Sequence, residues 1–280
     1  MAEYFAGIDI GSTMTKAVIL SDNILAAAIG PTGAEQRRLA NKVMEEALQR
    51  AGLPFEAITY VVSTGYGRVN VPFADRQITE ITCHARGISY LFPEVRTVID
   101  VGGQDSKAIR IDGKGHPQNF IMNDKCAAGS GRFIEIIADT LGIPLDEVGD
   151  ISLKSTHPAT ISNICTIWAQ QEVAASLAQG VTVPDLLAGV HISLADRISR
   201  MARRLGVEKP VALTGGGAKN VGLISALKEF LDKDLLIPDN PLITGALGAA
   251  LLGRDTVEKA RANNLSPVTR PRILEVVHFH

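Results

Sequence analysis

The sequence predicts an α/β protein built from two similar halves, and three observations carry that prediction. Two apolar runs each deliver an Asp and then a Gly: Ile8-Asp9-Ile10-Gly11 and Ile99-Asp100-Val101-Gly102. Seven residues after each Asp stands a lysine, Lys16 or Lys107, inside a second apolar run. A third Gly-rich turn, Leu213-Thr214-Gly215-Gly216-Gly217, follows late in the chain. At an offset of 91 residues Ile8/Ile99, Asp9/Asp100, Gly11/Gly102, Lys16/Lys107 and Ala17/Ala108 coincide, which an internal duplication explains most simply. Repeated strand–turn–strand units with an Asp at the turn suggest two similar halves holding a nucleotide between them.

Taken in order, Phe5–Ile10 reads as a buried strand and Thr15–Leu20 as its hairpin partner across Gly11-Ser12-Thr13. Residues 36–51 carry helical spacing at Leu39, Val43, Ala47 and Leu48 and stop at Gly52. Ile58–Ser63 is a further strand, and Thr64-Gly65-Tyr66-Gly67-Arg68 a loop at its end, where open α/β sheets place ligand contacts. Glu80–Leu91 is a helix ending before Pro93. The second hairpin uses Thr97–Val101 and Lys107–Ile111. Helices follow at residues 127–141, 166–179 and 190–205; the strand Val211–Thr214 then enters the triple-glycine turn, and a helix covers residues 220–231. Leu242–Leu252, rich in Gly and Ala, suits a helix packed tightly against another backbone. Residues 263–280 read as an irregular tail or an edge strand. The expected domains are residues 1–92, residues 93–240 carrying Cys126 and Cys165, a helix at 241–262 packing back on the first domain, and the tail.

The 280 residues fit one large or two modest domains, and 46% hydrophobic content with 26 glycines is ordinary for a soluble α/β chain. A net charge of -2 gives no reason to expect nucleic acid or an anionic membrane as partner. No apolar stretch is long enough to span a bilayer, and Met1-Ala2-Glu3-Tyr4 does not open a signal peptide. The expectation is a cytoplasmic protein with reduced thiols; three cysteines are too few and too scattered for a disulfide framework.

The phosphate loop G-x-x-x-x-G-K-[ST] is absent, and so is G-x-G-x-x-G after a strand. What is present is a pair of Gly-containing hairpins whose backbone N–H groups can cradle phosphate oxygens. Asp9 and Asp100 sit at strand ends, where carboxylates can hold Mg²⁺ through its water shell. A single Asp-x-Gly would be read as a turn residue bonding its own backbone; two copies with a late Gly-Gly-Gly turn favour phosphate binding.

Gly7-Ile8-Asp9-Ile10-Gly11-Ser12-Thr13 with Thr15-Lys16 resembles the first phosphate motif of the actin/Hsp70/sugar-kinase superfamily. Ile99 through Lys107 resembles the second, and Thr214-Gly215-Gly216-Gly217 the adenosine motif, in the right order. The resemblance implies a ribonuclease H-like duplicated fold around a nucleotide cleft, with ATP/ADP and Mg²⁺ bound by Asp9, Gly11, Ser12, Thr13, Lys16, Asp100, Gly102, Gly103, Gly215, Gly216 and Gly217. More narrowly, Gly103-Gln104-Asp105-Ser106-Lys107 and Asn123-Asp124-Lys125-Cys126-Ala127-Ala128-Gly129-Ser130-Gly131-Arg132-Phe133 look like the activator components of 2-hydroxyacyl-CoA dehydratases. The ATPase subunits of benzoyl-CoA reductase are similar. The likeness spans roughly residues 5 to 253.

Cys126 precedes a stretch leading into a helix, and Cys165 opens another after Ser162-Asn163, both good N-cap residues. Helix N-termini favour a thiolate or an anionic cluster. Taken alone, two cysteines 39 residues apart with no C-x-x-C also fit unrelated thiols. The resemblance implies that Cys126 and Cys165 from two subunits share one [4Fe–4S] cluster per homodimer. Cys83, beside His84, reads as a small buried residue, because helical neighbours point about 100° apart. Where such activators commonly carry Phe-Ala-Glu-Ser-Glu-Val, this chain has Trp168-Ala169-Gln170-Gln171-Glu172-Val173, which puts the identity of the partner enzyme in doubt more than the chemistry.

Gln104 is a candidate for orienting an attacking water, with a turn residue as the alternative; Asp105 is a candidate Mg²⁺-water ligand or general base. Trp168 reads as core or dimer interface. His116, His157, His191, His278 and His280 show no ligand spacing and read as surface residues. Arg200, Arg203, Arg204 and Lys209 form a basic face, usually just solvated. The function implied is an ATPase coupled to electron transfer: closure around ATP moves the cysteine-bearing helices, and one electron passes to an iron–sulfur dehydratase or reductase, with ferredoxin or flavodoxin as donor. The rivals are a sugar-kinase-type phosphotransferase, colourless and sugar-dependent, and a non-catalytic actin- or chaperone-like ATPase.

Overall fold

Short, β-branched apolar runs set both sheets, and the computed structural model describes residues 2–274 of the chain. β1 (Tyr4–Ile10), β2 (Met14–Leu20) and β3 (Ile24–Pro31) form a meander, α1 (Gln36–Ala51) follows, and β4 (Ile58–Thr64) runs parallel to β1. A two-residue β5 (Arg76–Gln77) completes the order β3-β2-β1-β4-β5, and α2 (Glu80–Leu91) comes next. The second sheet repeats the scheme. β6 (Thr97–Val101) pairs antiparallel with β7 (Ser106–Ile111), β8 (Pro117–Asn123) flanks β7, and β9 (Val211–Thr214) runs parallel to β6, in the order β8-β7-β6-β9. Its helices are α3 (Gly131–Leu141), α4 (Val148–Ser152), α5 (Thr166–Ala178), α6 (Val183–Leu205) and α7 (Val221–Phe230). The last helix is α8 (Thr244–Ala262).

The chain divides into two compact units. The first takes the chain up to Pro93, the turn Asp112–Pro117 and everything from Leu242 onward; the second takes Glu94–Ile111 and Gln118–Pro241. The core of the second unit joins Ile99, Val101 and Leu213 of the sheet to Phe133, Ile137, Leu186, Leu194 and Leu227 of the helices. In the first, Ile8, Ile10, Ile19 and Val61 meet Val43, Met44 and Ala47 of α1 on one face of the sheet. On the other face Phe5, Val18 and Val62 meet α8 through Ala246, Leu247 and Ala250.

The small residues of α8 pack backbone to backbone. A Cβ at Gly7 would lie 1.9 Å from Ala246 O, one at Gly87 2.2 Å from Thr244 O, and one at Gly248 1.7 Å from Cys83 O. Past α8 the chain is irregular through Leu274, yet not loose: Arg272 pairs with the buried Asp75 at 2.7 Å and donates to the carbonyls of Ile58 and Thr59.

Several expectations change. β3 and β8 were not anticipated, and α6 starts at Val183 rather than 190. The helix expected over 127–141 breaks into a 3-10 turn, Ala127–Gly129, and α3, with Ser130 extended between them. Trp168 is exposed and does not belong to the core. His191 is buried, not a surface residue, while His278 and His280 lie outside the described residues.

Neither ring nitrogen of His191 has a hydrogen-bond partner, and burial pulls its imidazole down to about 4. The folded state therefore keeps the ring neutral while the unfolded state protonates it below its ordinary value near 6.5. His191 contributes full stability above pH 6.5, loses it progressively as pH falls toward 4, and adds no further loss below that, a total of about 3 kcal/mol. Urea unfolding of wild type and His191→Phe across pH 4–7 should show that slope in wild type only.

Candidate functional site

The register of each sheet puts an Asp, a Lys and a Thr side by side at the end of its central strand. Asp9 stands opposite Lys16 of β2 and Thr64 of β4; Asp100 stands opposite Lys107 of β7 and Thr214 of β9. The lysines do not reach into solvent. Lys16 Nζ bonds Asp9 Oδ2 at 3.0 Å. Lys107, buried, lies 3.2 Å from Asp100 Oδ2 and 2.7 Å from Asp105 Oδ2. Both aspartates are buried, so each charge is compensated by its own hairpin.

Each hairpin is closed by the same backbone bond: Gly11 N donates to Met14 O at 3.1 Å, and Gly102 N to Asp105 O at 2.9 Å. Between these closures Ser12, Thr13, Gly103 and Gln104 form the tips, with Thr13 and Gln104 exposed. A glycine turn then approaches each Asp from the neighbouring parallel strand. Gly65, with φ +85°, would place a Cβ 2.3 Å from Asp9 Oδ1; Gly215, with φ +82°, would place one 2.5 Å from Asp100 Oδ1. Two residues on, Gly67 lies against Ile10 and Gly217 against Val101. The duplication therefore extends to Thr64-Gly65-x-Gly67 and Thr214-Gly215-x-Gly217, a match legible in the sequence that the hairpin comparison overlooked. Beside Asp9, Gly245 leaves room between its carboxylate and the buried His84, whose Nδ1 is 3.0 Å from Thr244 Oγ1.

The second hairpin is tied directly to the loop of Cys126. Gly131 N donates to Gly102 O at 2.9 Å, Arg132 N to Gly103 O at 2.8 Å, and Ser106 Oγ to Gly129 O at 2.6 Å. Cys126 is half-buried and heads the 3-10 turn, not an α-helix, which corrects the expected placement. Cys165, also half-buried, is itself the N-cap of α5, so Ser162 and Asn163 do not cap it. They hold its loop instead: Ser162 N donates to Glu172 Oε2 at 2.7 Å, and Asn163 Nδ2 to Asp196 Oδ2 at 3.0 Å. Around Cys165 the surface is apolar, with Ile164, Ile167 and Trp168 exposed at 67%, 63% and 56%. Cys83 is different: buried in the first unit, its thiol is pushed up to about 12 by burial, as befits an unreactive core residue. Among the described residues no three of His, Cys, Asp and Glu gather as a metal site. No helix there is long and apolar enough to cross a membrane.

Paired Asp hairpins, each with its glycine turn, on two sheets of like topology define an ATPase of the actin/Hsp70/sugar-kinase type. The chain belongs to the BadF/BadG/BcrA/BcrD ATPase family, whose profile matches residues 6–253. It is 46% identical over 258 residues to the activator of lactoyl-CoA dehydratase from Anaerotignum propionicum, covering 91% of this chain and 99% of that one. It is 41% identical over 254 residues to the (R)-2-hydroxyglutaryl-CoA dehydratase activating ATPase from Acidaminococcus fermentans, covering 90% and 97%. The activator of the 2-hydroxyisocaproyl-CoA dehydratase from Clostridium difficile, solved with bound ADPNP, superposes with a TM-score of 0.87 at 40% identity, over 95% of this chain and 100% of that one.

Proposed function

We propose that the chain is an ATP-driven electron donor to an iron–sulfur dehydratase or reductase of the kind its relatives serve. The observation that carries this reading is the direct bonding of the Cys126 loop to the second Asp-Gly hairpin, in a chain whose relatives are activators. Backbone N–H groups of both hairpin tips, with Gly215–Gly217, take the nucleotide. Asp9 and Asp100 hold Mg²⁺ through its waters, as hard carboxylates at strand ends do. Lys16 and Lys107 hold those carboxylates in place through their ion pairs. Gln104, exposed at the second tip, orients the attacking water, while Asp105 is held by Lys107 and serves as a positioning carboxylate.

Two half-buried thiols on two loops of one chain fit a group shared between two copies, and the apolar surface of Ile164, Ile167 and Trp168 beside Cys165 fits a second copy covering it. Cys126 and Cys165 of each copy would be the four thiolates, and a [4Fe–4S] cluster held by them would supply one electron at low potential. ATP shifts nothing unless it binds one state of the dimer more tightly than the other. The bonds from Gly102 and Gly103 to Gly131 and Arg132 give that preference a route to Cys126. Hydrolysis resets the hairpin, and a small redox protein such as ferredoxin or flavodoxin resupplies the electron.

Anaerobic purification with iron and sulfide quantification tests the reading. About four irons per dimer are expected, lost in Cys126→Ser and in Cys165→Ser with dimer and nucleotide binding otherwise assayed. An iron-free wild type after anaerobic reconstitution overturns it.

A further inference from the structure

The hairpin bonds account for Cys126 and leave Cys165 unexplained. Ser106, Gly102 and Gly103 touch Gly129, Gly131 and Arg132, all on the Cys126 side. The Cys165 loop is held elsewhere, by α6, through Asn163 and Asp196. Two cysteines that hold one group must nevertheless answer the nucleotide together.

Arg197 of α6 stands between the two loops. Its Nη1 donates to Asn163 O, two residues before Cys165. On the other side its Nε lies 3.0 Å from where a Cβ on Gly129 would sit, and Asn123 Nδ2 lies 2.6 Å from the same point. Asn123 Nδ2 in turn donates to Cys126 O at 2.9 Å. Gly129 is thus glycine because the Arg197 guanidinium and the Asn123 amide close directly over its Cα. These groups are not locked in a packed core. Arg197, Asn123, Gly129 and Asn163 line one cavity of about 590 Å³, which leaves the guanidinium room to shift.

We propose that Arg197 is a positioning residue that carries the state of the second hairpin from the Cys126 turn to the Cys165 loop. A guanidinium suits this role because its planar fork can bear on Gly129 with one edge and bond Asn163 O with another, so displacement at one loop is felt at the other. The proposal rests on the reading that both cysteines serve one group, but its test does not require that group.

The test is alkylation of the iron-free full-length protein by iodoacetamide, with Cys126 and Cys165 followed separately by mass spectrometry, in saturating ADPNP or ADP. In wild type both thiols should change rate between the two nucleotides by about threefold or more, since reactivity follows local environment. In Arg197→Ala, Cys126 should keep its nucleotide dependence and Cys165 should lose it. Arg197→Lys, which retains a donor for Asn163 O, should restore part of the Cys165 response. Gly129→Ala displaces the guanidinium from the opposite side and should uncouple Cys165 in the same way, so the test survives if Arg197→Ala does not fold. A Cys165 response unchanged in Arg197→Ala or Gly129→Ala overturns the proposal, and so does a wild type in which neither thiol senses the nucleotide. A wild type that takes up no iron on anaerobic reconstitution would sink the electron-donor reading and leave these rates unaffected.

Discussion

Asp100→Asn should lower the rate of ATP hydrolysis by about 10²–10³-fold, the scale of losing one preorganised charge from a buried site. The substitution keeps size and hydrogen-bonding shape but removes the charge that faces Lys107 at 3.2 Å. Lys107 retains Asp105 at 2.7 Å, so the hairpin should persist and the protein should still fold. Steady-state phosphate release, with ADP affinity measured in parallel, separates lost turnover from lost binding. Turnover within about threefold of wild type would remove Asp100 from the reaction.

Gly248→Val should be the most damaging single change in the first unit, costing more than about 4 kcal/mol. The Cβ position lies 1.7 Å from the Cys83 carbonyl oxygen and 2.9 Å from Gly87 N. Both obstacles are backbone, so no side chain can swing aside. Chemical denaturation should show a large fall in midpoint or no folded protein at all. Ala249→Val, one residue along the same helix, is the comparison: if both variants unfold alike, general crowding of α8 explains the loss and the close backbone approach does not.

The parts of the fold that could be read from the sequence were those whose chemistry repeats locally. β1 and β6 are apolar runs that each deliver an Asp and then a Gly into a hairpin with β2 or β7. Their register turned out to set Asp, Lys and, from the parallel strands β4 and β9, Thr abreast in both sheets. β3 escaped because Leu25-Ala26-Ala27-Ala28 favours no strand period, and β8 because it begins with proline and is largely exposed, as an edge strand can be. The start of α6 was missed although Thr182 caps it and Pro184 stands in its first turn, a recognised opening. In the site, the hairpins were legible from motif spacing, whereas a shared role for Cys126 and Cys165 came only from the family resemblance. Arg197 was not: nothing local ties it to Asn163 or Gly129, which lie 34 and 68 positions upstream and meet it only through the packing of α6.

The path of the chain through the first unit has a consequence for synthesis. Its sheet begins at Tyr4, but the helix that covers one face begins only at Thr244, after the whole second unit has been made. The second unit needs residues 94 to 241 and is essentially complete in the emerging chain before that. A ribosome-bound chain ending before α8 therefore presents Phe5, Val18 and Val62 on an uncovered apolar face, with Gly7 and Gly87 open to any backbone that fits. The N-terminal residues are translated first and protected last, so a chain truncated ahead of Thr244 should be a client for chaperones rather than a smaller version of the protein.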